Sequence, residues 1–298
     1  MIMLRIFLAS LALLFSVSLH AEEVVLKDDE IHLNARLSLA EGRQIQEGVV
    51  LMLHGTFAHN EMEIMQAIEE LLNEKGYNTL AINLGLKVDN RHGQLDCGIT
   101  HEHHHTDALH ELGLWVDWLK SKDVKRIALL GHSRGGNQVA WYAKDHPDDV
   151  IKNVIVIAPQ TWDAKSEAAA YEKRYGQPLS EVMARARDLQ KRGNGEAAMR
   201  PVGFVYCKDA AVSADAFINY YQDQKEKNTP SIIDQLAMPV LVFAGSEDDV
   251  VKSLVPQMKK KLKPGKVDLF VIDGADHFFR DLYAEDLVDE ADEFLGWQ

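Results

Sequence analysis

The stretch Arg126-Ile127-Ala128-Leu129-Leu130-Gly131-His132-Ser133-Arg134-Gly135-Gly136 carries an apolar segment straight into a glycine-flanked serine, and a helical pattern follows over 135–145. A short aliphatic run without polar alternation reads as a strand covered on both faces. The G-x-S-x-G spacing at its end fits a cramped strand-to-helix turn. There the glycines let a serine hydroxyl project above the sheet and let two elements pack closely. The bare pattern arises easily by chance; the strand–turn–helix setting gives it weight.

Working outward, similar aliphatic runs lie at 48–53, 77–83, 150–157, 239–244 and 267–272, after a short β-like start at 23–27 and 31–39. Helical patterns separate or follow them at 61–75, 107–120, 254–262 and 282–294. This alternation predicts a mainly parallel α/β sheet flanked by helices. The rhythm stops between 161 and 234, where helical patterns at 164–175 and 179–191 are the only regular features. We expect a mostly helical cap or lid insertion there, dividing one core into 22–160 and 235–298.

Composition bounds the function. At 46% apolar and 26% charged the 298-residue chain is of ordinary globular make-up, which excludes a disordered chain. Its net charge of -14 argues against a nucleic-acid partner, because phosphate contacts require basic surface. Residues 1–21 combine Arg5, an apolar run, small residues up to Ala21 and the acidic pair Glu22-Glu23. That is the pattern of a secretory signal peptide, and its apolar run is short for a membrane span. The expectation is an exported protein, periplasmic or secreted, with no stable membrane span after cleavage. Two cysteines are too few for a disulfide scaffold or a Cys-rich zinc module. In an oxidising compartment Cys97 and Cys207 form a bridge if the fold brings them together.

Three more strand ends carry chemistry. Leu53-His54-Gly55-Thr56-Phe57 follows the first buried strand, Gly245-Ser246-Glu247-Asp248 places an acid past another, and Asp276-His277 lies past the last. A serine hydroxyl needs a base to remove its proton, and the base works best when a carboxylate orients it.

Ser133, Asp248 and His277, in that chain order, resemble the triad of the α/β-hydrolase superfamily. The His54-Gly55 turn resembles that family's oxyanion turn, and the resemblance spans about Gly48 to the C-terminus. It implies Ser133 as nucleophile, His277 as base and Asp248 as orienting acid, with Asp249 the alternative acid. The backbone N–H groups of Arg134 and of Thr56 or Phe57 would form the oxyanion hole. A serine in place of an aspartate disfavours epoxide opening and carbon–halogen cleavage. The implied enzyme is a serine hydrolase acting through an acyl-enzyme on a small-molecule acyl substrate, an ester before a thioester or amide. Cap aromatics, among them Trp162, Phe204, Tyr206, Phe217, Tyr220 and Tyr221, are candidates to wall an apolar acyl pocket. Without a GxGxxG or Walker pattern no organic cofactor is expected.

A rival reading starts from His101-Glu102-His103-His104-His105. His101-Glu102-x-x-His105 matches a zinc-protease pattern, which requires two histidines one helical turn apart. Its extended form is missing, since Ala108 and Glu111 stand at the next diagnostic positions. His101, His103 and His105 are therefore candidate metal ligands of a metal-dependent hydrolase, or else part of a solvated, pH-sensitive helix start. A non-catalytic binding protein on the same fold is the third class.

Overall fold

A computed structural model describes residues 21–297. The expected signal peptide, residues 1–21, lies outside the described residues except for Ala21. The first half of the chain forms β1 (Glu22–Asp28), β2 (Ile31–Ser38), β3 (Val49–Leu53), α1 (Glu63–Glu74), β4 (Asn78–Ile82), β5 (Thr100–His101), α2 (Asp107–Ser121), β6 (Ile127–His132), α3 (Arg134–Asp145) and β7 (Ile151–Ile157). Next come α4 (Ala164–Tyr175), α5 (Leu179–Lys191), β8 (Ala198–Phe204), β9 (Cys207–Ser213), α6 (Ala214–Tyr221) and α7 (Thr229–Ile232). The chain closes with β10 (Val240–Gly245), α8 (Leu254–Met258), β11 (Val267–Ile272) and α9 (Leu282–Leu295).

The main sheet has the order β1-β2-β4-β3-β6-β7-β10-β11. β1 and β2 are antiparallel to their neighbours, and the six strands from β4 to β11 run parallel. Every residue of β3, β4, β6 and β10 is buried, as unbroken aliphatic runs require when helices cover both faces. α1 turns Ile64, Met65, Ile68 and Leu72 inward, the one-sided spacing of an amphipathic helix. Parallel strands present their C-terminal ends together, so the turns after β3, β6, β10 and β11 meet at one edge. Among the described residues no helix is long and apolar enough to cross a membrane.

Residues 161–234 leave the sheet after β7 and rejoin it at β10. α4 and α5 form where the periodicity placed helices. α4 begins on Asp163, which accepts from the Ser166 N–H at 2.8 Å, and ends on left-handed Gly176, the usual pairing of a polar N-cap with a C-terminal glycine. Beside its helices the insertion contains the β8–β9 hairpin, which no strand-like run in the sequence signals and which pairs with β5 in a second sheet. Pro201, Gly203 and the Lys208-Asp209 pair interrupt any strand-like alternation in the sequence. These strands form because of partners far along the chain.

One partner is covalent. Cys97 and Cys207 form a disulfide with Cα atoms 5.4 Å apart, closing a separation of 110 residues. It joins the loop before β5 to the start of β9. A second tie is Lys227, fully buried, whose Nζ donates to the carbonyls of Asn219, Tyr220 and Gln222. The ammonium thus caps the C-terminal end of α6, where a helix has unpaired carbonyls and partial negative charge. Replacing both cysteines by serine is expected to cost roughly 2–4 kcal/mol and to lower Tm by roughly 5–10 °C in calorimetry. An unchanged Tm would show that the insertion is held without the bridge.

Candidate active site

Ser133 occupies a backbone conformation with φ 55° and ψ -119°, which a residue with a Cβ adopts only under constraint. The constraint comes from both sides. Its N–H donates to the Ile157 carbonyl at 2.8 Å, and its own carbonyl accepts from the Gln160 N–H at 3.0 Å, so the end of β7 grips the turn. Gly135 opens α3 against the turn after β3, where a Cβ would overlap the His54 carbonyl. On the opposite wall a Cβ at Gly55 would stand 3.3 Å from the Ser133 Cβ. The two turns approach so closely that each needs its glycine.

His277 Nε2 lies 3.0 Å from Ser133 Oγ, and His277 Nδ1 lies 2.8 Å from Asp248 Oδ2. Both side chains of the His277–Asp248 pair are at least nine-tenths buried. The other carboxylate oxygen of Asp248 accepts from the N–H groups of Val250 at 2.8 Å and Val251 at 3.0 Å. It is Asp248 rather than Asp249 whose carboxylate reaches the imidazole. Burial alone would push the Asp248 pKa up, but the His277 hydrogen bond and charge and the two N–H donors hold it below the usual aspartate range. Asp248 therefore stays ionised. His132, which the sequence reading left unassigned, donates from Nε2 to the His277 carbonyl at 2.9 Å and steadies that loop from below.

Thr56 and Phe57 sit beside Ser133 on a turn with Phe57 at φ 56°, and the Arg134 N–H opens α3, where a helix leaves its first N–H groups unpaired. These N–H groups are the ones expected to receive charge developing on a carbonyl oxygen bonded to Ser133 Oγ. The turn is held by His54, which donates from Nδ1 to the Gly55 carbonyl and accepts at Nε2 from the Leu84 N–H and Arg91.

The histidine cluster is neither a metal-binding helix nor a solvated one. α2 begins at Asp107, so the His101-to-His105 stretch precedes the helix. Glu102 points to solvent while His101, His103 and His105 are all buried. His103 meets the Tyr220 hydroxyl at 2.9 Å and lies 3.4 Å from His101, and the His101 ring stacks on Phe57. His105 turns elsewhere: its Nε2 donates to Asn137 at 3.1 Å and its Nδ1 accepts from Arg134 at 3.0 Å. Among the described residues no group of three His, Cys, Asp or Glu side chains is placed to hold a metal. The metal-ligand expectation for His101, His103 and His105 is overturned by this dispersal.

The Arg134 side chain, also missed at the sequence level, donates from Nε to Thr56 Oγ1 at 2.9 Å and stacks over Tyr220 at 5.2 Å. It forms one wall of a cleft of about 130 Å³ together with Trp162, Glu167, Arg174, Tyr206 and Tyr220. Of the aromatics expected to wall an acyl pocket, Trp162, Tyr206, Tyr220 and Tyr221 line this cleft beside its charged side chains, whereas Phe204 and Phe217 pack in the core. No local pattern marks either arginine, because their role depends on contacts between the core and the insertion.

The family described as serine aminopeptidase, S33, matches residues 44–280. Among curated proteins none matches the chain in sequence. Among solved structures, the esterase Est1E of Butyrivibrio proteoclasticus with ferulic acid bound superposes with a TM-score of 0.66 at 21% identity, covering 92% of this chain and 98% of that one. A monoacylglycerol lipase of Paleococcus ferrophilus gives 0.61 at 18% identity, over 89% and 99%. An esterase of Pyrococcus furiosus gives 0.59 at 18% identity, over 94% and 91%. At such identities the likeness is one of fold.

Burial sets the acid response. It depresses the His54 pKa to about 3 and that of His132 to about 4, and lowers those of His103 and His105 well below the ordinary value. Unfolded imidazoles take up protons near pH 6.5, so between there and pH 4 the unfolded chain binds more protons and stability falls as pH falls. Each ring contributes up to about 1.4 kcal/mol per pH unit. Glu111, pushed up to about 8 by burial, works in the opposite direction and offsets one ring. The urea midpoint is expected to be clearly lower at about pH 5 than at about pH 7.5. Equal midpoints would mean that these rings are solvated.

Proposed function

We infer the activity from two premises: the chain belongs to the serine aminopeptidase S33 family of α/β-hydrolases, and its Ser133, His277 and Asp248 side chains are linked at hydrogen-bond distance in series. The protein is a serine hydrolase that cleaves a small-molecule ester through an acyl-enzyme on Ser133, with 161–234 acting as the cap over the site. The observation that carries this is the 3.0 Å approach of His277 Nε2 to Ser133 Oγ on its constrained turn.

In the acylation step Ser133 Oγ bonds to the acyl carbon as its proton passes to His277 Nε2. Ionised Asp248 keeps the Nδ1 proton in place and stabilises the imidazolium. The N–H groups of Arg134 and of Thr56 or Phe57 receive the oxyanion; one such donor is typically worth about 10²–10³ in kcat. The imidazolium then protonates the leaving alcohol. Water then gives a proton to His277 as its oxygen bonds to the acyl carbon, and the imidazolium returns that proton to Ser133 Oγ as the carbon–Oγ bond breaks and the acid leaves.

A peptide with a free amino terminus, the substrate that the family's description names, would call for a carboxylate-dominated pocket to receive an ammonium group. The cleft instead presents Arg134 and Arg174 against the single carboxylate Glu167, which speaks against a free amino terminus there. Export from the cytoplasm, to the periplasm or beyond, rests on the pattern of residues 1–21, and the Cys97–Cys207 bridge supports an oxidising compartment.

A fluorophosphonate probe followed by peptide mass spectrometry is expected to label Ser133 in the folded protein. Ser133→Ala should lower hydrolysis of short 4-nitrophenyl esters by about 10⁴-fold or more. Esterase activity that survives this change, with Ser133 unlabelled, would overturn the mechanism.

A further inference from the structure

We propose that the cleft walled by the side chain of Arg134, the residue after Ser133, is a carboxylate subsite, so that the substrate is an ester bearing a carboxylate on its acyl or alcohol part. The inference rests on the serine-hydrolase reading and narrows its substrate class.

Two guanidinium groups converge on the cleft, and neither is neutralised by the groups it touches. The partners of Arg134 are the Thr56 hydroxyl, His105 Nδ1 and the face of Tyr220. His105 is neutral, because burial first and the Arg134 charge second disfavour its protonation. A guanidinium has five N–H donors in a planar fork, and the Nη2 edge of Arg134 has no partner among the described residues. Arg174 donates to the Val205 carbonyl and lies over Tyr206 at 6.0 Å, again without an anion. Each side chain is oriented by neutral contacts while its charge is left to be met.

The one carboxylate on the cleft wall is Glu167. Behind the wall Lys227 lies 4.7 Å from the centre of the Trp162 ring, but its Nζ is engaged by three carbonyls and burial lowers its pKa to about 7, so the charge of the cleft rests on the two arginines. The balance favours a single negative charge over a dianion such as a phosphate monoester. A planar carboxylate also matches a guanidinium fork by two parallel hydrogen bonds. Size agrees: about 130 Å³ admits a small acid group and excludes a long acyl chain. Arg134 directly follows the nucleophile and donates to Thr56 on the turn opposite it, so this side chain connects the cleft to the triad.

The test compares two isosteric pairs. Mono-4-nitrophenyl glutarate against 4-nitrophenyl methyl glutarate places the charge on the acyl side. Acetoxybenzoate with its ester para to the carboxylate, against its methyl ester, places it on the alcohol side. The wild-type enzyme is expected to favour the charged member of at least one pair by about tenfold or more in kcat/KM. The preferring pair identifies the side. Arg174→Gln should erase most of that preference and Arg174→Lys should keep part of it. If Arg174 merely supports the fold, both members of a pair fall together and the ratio stays, which overturns the proposal. A measurement without any variant stands beside this one: free glutarate should inhibit hydrolysis of the neutral ester competitively, and more strongly than glutaramide. Neutral esters turned over with no preference in either pair, or equal inhibition by the two additives, would sink the subsite alone. No ester turned over and Ser133 unlabelled by the fluorophosphonate would sink the serine-hydrolase reading itself.

Discussion

Ser133 sits at φ 55° and ψ -119°, a conformation that costs a non-glycine residue about 1–3 kcal/mol, and the surrounding structure is arranged so that it cannot relax. The Ile157 carbonyl and the Gln160 N–H hold its backbone from β7. The bare Cα atoms of Gly135 and Gly55 let two turns close on it. The same crowding fixes the distance between the serine oxygen and the N–H groups facing it. A wider turn would relieve the backbone and separate the two. Strain and preorganisation are here one feature.

Around this turn the protein uses buried imidazoles as neutral connectors. His54 fixes the oxyanion turn, His132 supports the His277 loop, and His105 bridges Arg134 to Asn137. Asn137 continues to Thr229, whose hydroxyl donates to the Gln160 carbonyl, so the chain of bonds leads back to the residue that grips Ser133. An uncharged imidazole offers one donor and one acceptor on a rigid ring; His54 and His105 use both nitrogens and His132 only Nε2, and none of the three buries a charge.

The sheet was legible because strands buried on both faces leave unbroken aliphatic runs, as at Val49–Leu53 and Val240–Gly245. The order of Ser133, Asp248 and His277 was legible because each lies one turn past such a run. What escaped the sequence depended on distant partners. β8 and β9 carry Pro201 and Gly203 and form against β5 and a disulfide. His101, His103 and His105 suggested a metal or a wet helix start, since sequence spacing cannot reveal that alternate residues of an extended segment are buried against Phe204 and Tyr220 of the insertion. Arg134 was read for its N–H alone; its side chain finds meaning only through Thr56, His105 and Tyr220.

The chain as a whole is strongly acidic, with a net charge of -14, whereas the cleft wall gathers Arg134 and Arg174 against one carboxylate. The two scales of electrostatics therefore act in opposite senses. Exposed charges are screened beyond about 8–10 Å at ordinary ionic strength, so the global field gives an approaching anion little help and some hindrance. Attraction begins only within reach of the guanidinium forks, where hydrogen bonding and partial desolvation make the contact specific. Selection by such a site is local. It discriminates by where a carboxylate sits relative to the scissile bond rather than by charge in general, and that geometric demand follows from placing an arginine immediately after the nucleophile.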